Sequence, residues 1–116
     1  MFVYVQELRN SKSYLHMSFN KIQKRSGQIV DFNISKIESA IKNALIAVEE
    51  DDTSEIASIV SRDVVRDLKK TLGHDIPMVE DVQDGVERML VAYNYSDAAK
   101  AYILFREQRS RARAEQ

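Results

Sequence analysis

Lys21, Lys24 and Arg25 lead into Ser26 and Gly27 in the stretch FNKIQKRSGQIVDF, residues 19–32. Cations gathered at a glycine turn can meet several oxyanions at once, because lysine brings a mobile point charge and arginine a directional fork. No catalytic cluster stands beside them, so what such a turn could do is hold an anion rather than make a bond. Taken by itself, a basic turn is more often solvated surface charge than a site.

Little else in the chain competes as chemistry. Its 116 residues fit one domain. The absence of cysteine removes disulfides, thiolate catalysis and sulfur-ligated zinc, and the two histidines, His16 and His74, are far apart and read as polar surface. Asp81 and Asp84 are close on a helical pattern but read as an acidic surface pair, and there is no Walker-type glycine loop. Charge is nearly balanced at -1 but unevenly placed: EEDDTSE (49–55) is acidic, whereas the early segment and the tail with Arg106, Arg109, Arg111 and Arg113 are basic. Phosphate attraction by tail arginines without a recognition element does not specify nucleic acid, so direct nucleic-acid binding is disfavoured. No apolar run suits a membrane span or a signal peptide, which sets the expectation of a cytoplasmic protein without membrane attachment.

The elements that must position the basic turn follow from the hydrophobic period. Residues 1–19 hold a short alternation, FVYV, and are expected to be an extension, either flexible or an added strand. Alternation on both sides of Ser26-Gly27 predicts a hairpin, marginal alone, whose apolar residues Ile22, Ile29, Val30 or Phe32 must cover another surface. From Ser35 the period shifts to about 3.6, with Ile37, Ile41, Ala44, Leu45 and Val48 on one face; Ser35 with Glu38, or Asn33, supplies the cap. A second helix, begun by Asp52 or Thr53 and ended by Gly73, is expected to turn Ile56, Ile59, Val60, Val64 and Leu68 inward. A third presents Val79, Val82, Val86, Met89 and Leu90, with Gly85 permitting close packing. The fourth is DAAKAYILFREQRSRARAEQ, with Asp97 in its first turn. Tyr93, Tyr95 and Tyr102 are expected to pack rather than stack on a ligand. The expected fold is α+β, mostly α: a four-helix bundle covered at one end by a short β-hairpin lid.

The combination of KRSGQIVDFNISKIESAI with VEDVQDGVERMLVAYNYSDAAKAYILFREQR resembles the ATP-cone family over about residues 20–109, leaving 110–116 as a C-terminal tail or linker. That resemblance implies an adenine-nucleotide-binding regulatory domain of the kind found at the N-terminus of ribonucleotide reductase subunits. Its effectors would be ATP and dATP, with Mg2+ held mainly by the phosphate groups rather than by protein ligands. Lys24, Arg25 and Lys36 match the family's basic positions. Gly27 would bring the hairpin close to the ligand without a side-chain clash. Gln28 and Val30 fall where other cones face the nucleotide, although the Val30 side chain cannot accept a ribose hydrogen bond, and Lys100 and Arg106 are weaker candidates on the last helix. Partners implied are an adenine nucleotide, a reductase catalytic or radical-generating subunit, and a nucleotide-dependent homo-oligomer. The chain itself is expected to be non-catalytic, an excised regulatory piece or a small stand-alone cone. Two other readings stay open: an oligomerisation module of a transcriptional regulator, weakened by the lack of zinc-ribbon cysteines, and an interaction domain that has lost nucleotide binding.

Overall fold

At Asn33 the alternating pattern gives way to a helical one, and the backbone changes with it. The computed structural model describes residues 20–73 and 75–114. The N-terminal extension with His16, and His74, lie outside the described residues. Strands β1 (Lys21–Gln23) and β2 (Ile29–Asp31) pair antiparallel, with Lys21 opposite Asp31, Ile22 opposite Val30 and Gln23 opposite Ile29. The connection closes through Gly27 N–H donating to the Lys24 carbonyl at 2.8 Å and Lys24 N–H donating to the Gln28 carbonyl at 2.8 Å. Gly27 sits at φ +94°, a conformation that strains any residue with a Cβ.

Four helices follow: α1 (Ile34–Ala47), α2 (Thr53–Leu72), α3 (Val79–Ala92) and α4 (Ser96–Ala114). Asn33 is the N-cap of α1, its side-chain oxygen accepting from Ser35 N–H at 3.0 Å, so of the two capping alternatives the earlier start is the one used. Gly73 ends α2. Each helix packs on its neighbours in sequence, and α4 closes the ring on α1. Short connections make this the up-and-down arrangement of a bundle.

The core takes Ala40, Ile41, Ala44 and Leu45 from α1, Ala57, Val60, Val64 and Leu68 from α2, Val82, Val86 and Leu90 from α3, and Ala98, Ala99 and Tyr102 from α4. Ile37, Val48, Ile56 and Met89 pack at its margin. Gly85 is buried, and a Cβ there would stand 3.2 Å from Cγ1 of Val64, so the absent side chain lets α3 approach α2. One expected core residue is not inside: Ile59 is 42% exposed. Six buried residues of α2, Ala57, Val60, Ser61, Val64, Val65 and Leu68, set the phase of its inner stripe, and at 100° per residue Ile59 falls almost opposite its centre. The inward flank belongs instead to Ala57, Ser61 and Val65.

Packing and backbone pairing fasten the hairpin to the bundle. Ile22 and Phe32 pack on the core cluster, and Gln23 pairs in parallel with Met78 while its N–H donates to the Pro77 carbonyl at 2.9 Å. This puts the lid over the end of the bundle where α1 and α3 begin and α4 finishes.

Candidate functional site

At that end the hairpin loop, α3 and the second half of α4 come together, and β2 leads directly into the first turn of α1. Pleating assigns the lid two faces. Lys21, Gln23, Ile29 and Asp31 share the outer one, closed by an ion pair between Lys21 and Asp31 that holds the Asp31 carboxyl below its ordinary pKa. Ile22 and Val30 share the other face with the core-packed Phe32, so Val30, half-buried, lies on the bundle side. Lys24 and Gln28 are the next pair along that ladder, and both are exposed.

The start of α1 differs electrostatically from the other helix starts. Glu55 in α2, Glu80 and Asp81 in α3 and Asp97 in α4 place acid in the first turn, where it offsets the positive end of the helix dipole. The first turn of α1 has no acid and carries Lys36, whose N–H donates to the Asn33 carbonyl at 3.1 Å. Neither Lys24 nor Lys36 makes an ion pair with a described residue. An acid-free helix start that carries an exposed lysine is suited to an anion, and Lys24 is a second exposed cation, on the hairpin loop.

The two arginines named by the sequence are engaged. Nε of Arg25 donates to Oε1 of Glu80 at 2.8 Å, tying the lid loop to the first turn of α3 and holding the Glu80 carboxyl below its ordinary pKa. Nη1 of Arg106 donates to Glu87 at 2.6 Å and to Asp84 at 3.3 Å, tying α4 to α3. Burial works against the Arg106 charge, but these carboxylates outweigh it and raise its pKa. Arg25, Glu87, Ile103, Arg106, Glu107, Ser110 and Arg111 line one open cleft of about 440 Å³ between the lid loop and α4. The early and late basic segments therefore converge, through Arg25, Arg106 and Arg111.

Of the eight residues picked from sequence, Arg25 and Arg106 meet in this cleft; Lys24, Gly27 and Gln28 sit on the loop above it, Val30 under the lid and Lys36 at the α1 start. Lys100 is exposed and is not part of the cleft lining. What Gly27 supplies is its positive φ; nothing lies within 4 Å of a Cβ placed on it. The residues missed are Glu80 and Glu87, and a signal for them existed: Glu80, Asp84 and Glu87 are spaced i, i+4, i+7, which is one face of a helix. Asp81, read as half of a surface pair, instead accepts from Met78 N–H at 2.9 Å and fixes the start of α3, while Asp84 serves Arg106. Among the tyrosines, Tyr102 is buried, which pushes its pKa up to about 12, and Tyr95 packs at the core margin; Tyr93 is exposed and donates to Asp63. Among the described residues no cluster of acidic or histidine side chains could hold a metal, and no helix is long and apolar enough to cross a membrane.

Comparison with known proteins gives this end of the molecule its context. The ATP cone domain family matches residues 20–111. The chain is 34% identical over 93 residues to the vitamin B12-dependent ribonucleoside-diphosphate reductase of Mycobacterium tuberculosis, covering 80% of this chain and 13% of that protein. It is 32% identical over 120 residues to the ribonucleoside-diphosphate reductase subunit alpha of Chlamydia pneumoniae, covering 97% of this chain and 11% of that one. A vitamin B12-dependent reductase of Thermoplasma acidophilum is 33% identical over 100 residues, covering 82% and 12%. The chain thus spans about an eighth of the length of these relatives. Its bundle, its lid and the match over nearly all the described residues agree: the chain belongs to the ATP-cone family, whose domains are nucleotide-binding regulatory modules of ribonucleotide reductases.

Proposed function

We propose that this chain is the allosteric activity domain of a ribonucleotide reductase subunit, binding ATP and dATP as effectors between the lid and the bundle. The family match over residues 20–111 carries the reading. It is supported by the acid-free first turn of α1 with its exposed Lys36 and by the exposed Lys24 on the hairpin loop. In this reading Lys24, Lys36 and Arg25 receive the phosphates, and Mg2+ arrives on the phosphate oxygens rather than on protein ligands. Gly27 shapes the loop, Gln28 is a polar contact from its far side, and Val30 contributes an apolar wall while a backbone carbonyl takes the ribose hydroxyl. Lys100 and Arg106 take secondary electrostatic parts from α4.

Nucleotide acts here as an effector, not a substrate. Differential affinity for two arrangements of lid and bundle would transmit its presence to the catalytic or radical-generating subunit, through assembly that depends on the nucleotide bound. The setting is cytoplasmic deoxyribonucleotide synthesis. Calorimetric titration with ATP and with dATP should give saturable binding to each. Reversing the charge at Lys24 and Arg25 together should weaken both by at least tenfold while leaving the far-ultraviolet circular dichroism unchanged. Affinity retained in that double variant would remove the site from the lid loop.

A second reading, an interaction domain that has lost nucleotide binding, draws on the engagement of both Arg25 and Arg106 by carboxylates and on the apolar side chain at Val30. Self-association unchanged by ATP or dATP, with no heat of binding, is its signature.

A further inference from the structure

Glu80, Asp84 and Glu87 form an acidic stripe along α3, and the arginines of the lid loop and of α4 both lie on it. Arg106 is enclosed, with its side chain 23% exposed, and behaves as a bracket between α4 and α3. Arg25 is different: its side chain is 76% exposed, and Glu80 is its only ion-pair partner among the described residues. An oxyanion approaching that guanidinium must either displace the Glu80 carboxylate or sit beside it and meet its negative charge. Both routes cost binding free energy, and neither is blocked sterically.

We propose that Glu80 is a built-in competitor for the anion, an affinity-setting residue that occupies Arg25 when no polyphosphate is bound and weakens polyphosphate binding when one is. This rests on the reading of the lid loop as a nucleotide phosphate site. Its consequence is a lid that is latched without ligand, from the Arg25 loop to the α3 start, and unlatched by phosphate charge. The start of α3 is fixed separately, by the Asp81 bond to Met78 N–H, so unlatching requires only the loop to move.

Glu80→Gln keeps the shape and removes the charge. In calorimetry on the full chain it should bind ATP about two- to five-fold more tightly than the parent, the factor to which an exposed ion pair amounts. The gain should be smaller for AMP, which carries less charge, and should shrink as salt is raised. It should vanish in the Glu80→Gln, Arg25→Gln double variant, which isolates the coupling between the two side chains. A merely structural role predicts the opposite sign, weaker binding alongside lower stability. Saturable ATP binding by the parent with equal or weaker binding by Glu80→Gln overturns the competitor and leaves the nucleotide site standing. If neither chain binds ATP or inorganic tripolyphosphate, the nucleotide reading falls; trypsin cleavage after Arg25 then tests the latch alone. Faster cleavage in Glu80→Gln retains it, and equal rates overturn it.

Discussion

Glu80 also reports on its pairing through acid stability. Its carboxyl is held below the ordinary value of 4.5 chiefly by the hydrogen bond from Arg25, then by its own backbone, with Arg106 contributing at longer range. A carboxyl whose pKa is depressed by folding stabilises the fold above its unfolded pKa, and that stabilisation is lost as pH falls through the folded value. The melting temperature of Glu80→Gln should therefore lie below that of the parent at pH 6 to 7, and the gap should close as pH drops below about 4. Because Asp31 titrates in the same direction in both chains, comparing the two isolates Glu80. A gap of constant size down to pH 3, in a thermal melt series, would mean that the Glu80 charge does not contribute through Arg25. In the proposed reading two opposed roles meet in one side chain, stabilising the empty lid and weakening ligand binding.

At the scale of elements, α3 is the one on which lid, site and core depend together, and Gly85 is where it meets α2. Alanine there would gain roughly 1 kcal/mol of helix propensity, yet its Cβ would press on Val64 at 3.2 Å, tighter than an ordinary contact. Gly85→Ala should thus be within about 1 kcal/mol of the parent, whereas Gly85→Leu should cost on the order of 3 kcal/mol by overpacking, read as a shifted midpoint in urea unfolding. A leucine variant as stable as the parent would show that the two helices can separate freely. Gly85 was readable in advance because a glycine inside a strongly periodic helix asks for a packing reason. Most of the bundle was readable in the same way, from period, caps and the turn at Gly27. Ile59 was misplaced because adjacent apolar residues at 59 and 60 leave the phase ambiguous until small residues, Ala57 and Ser61, are counted as interior. The Gln23 to Met78 bridge and the Arg25 to Glu80 pair leave no local pattern at all, joining positions fifty-five apart in each case. Which cations are engaged by carboxylates is a tertiary property, so candidate residues could be listed from sequence while their electrostatic state could not.

For the molecule as a whole, the lid has little independent stability. Among the described residues, two strands of three residues each are held to the bundle by contacts that include Ile22, Phe32, the Gln23 to Met78 bridge and the Arg25 to Glu80 ion pair. A ligand that binds lid and bundle together must therefore add stability beyond that of the empty domain, since it favours the folded state alone. Linkage sets the size: at a hundredfold excess over Kd the fold gains about 2.7 kcal/mol. In a domain of this length each kcal/mol moves the melting temperature by roughly 4–8 °C, so ATP at that concentration should raise it by about 10–20 °C. The Lys24 and Arg25 charge-reversal variant should melt within a few degrees of the parent without nucleotide, its helices being intact, but should lose most of the ATP-dependent rise. Differential scanning fluorimetry across an ATP titration separates the two readings of the lid: a rise in the parent that the variant loses belongs to a nucleotide-bridged site, and a flat response in the parent belongs to an interaction domain without one.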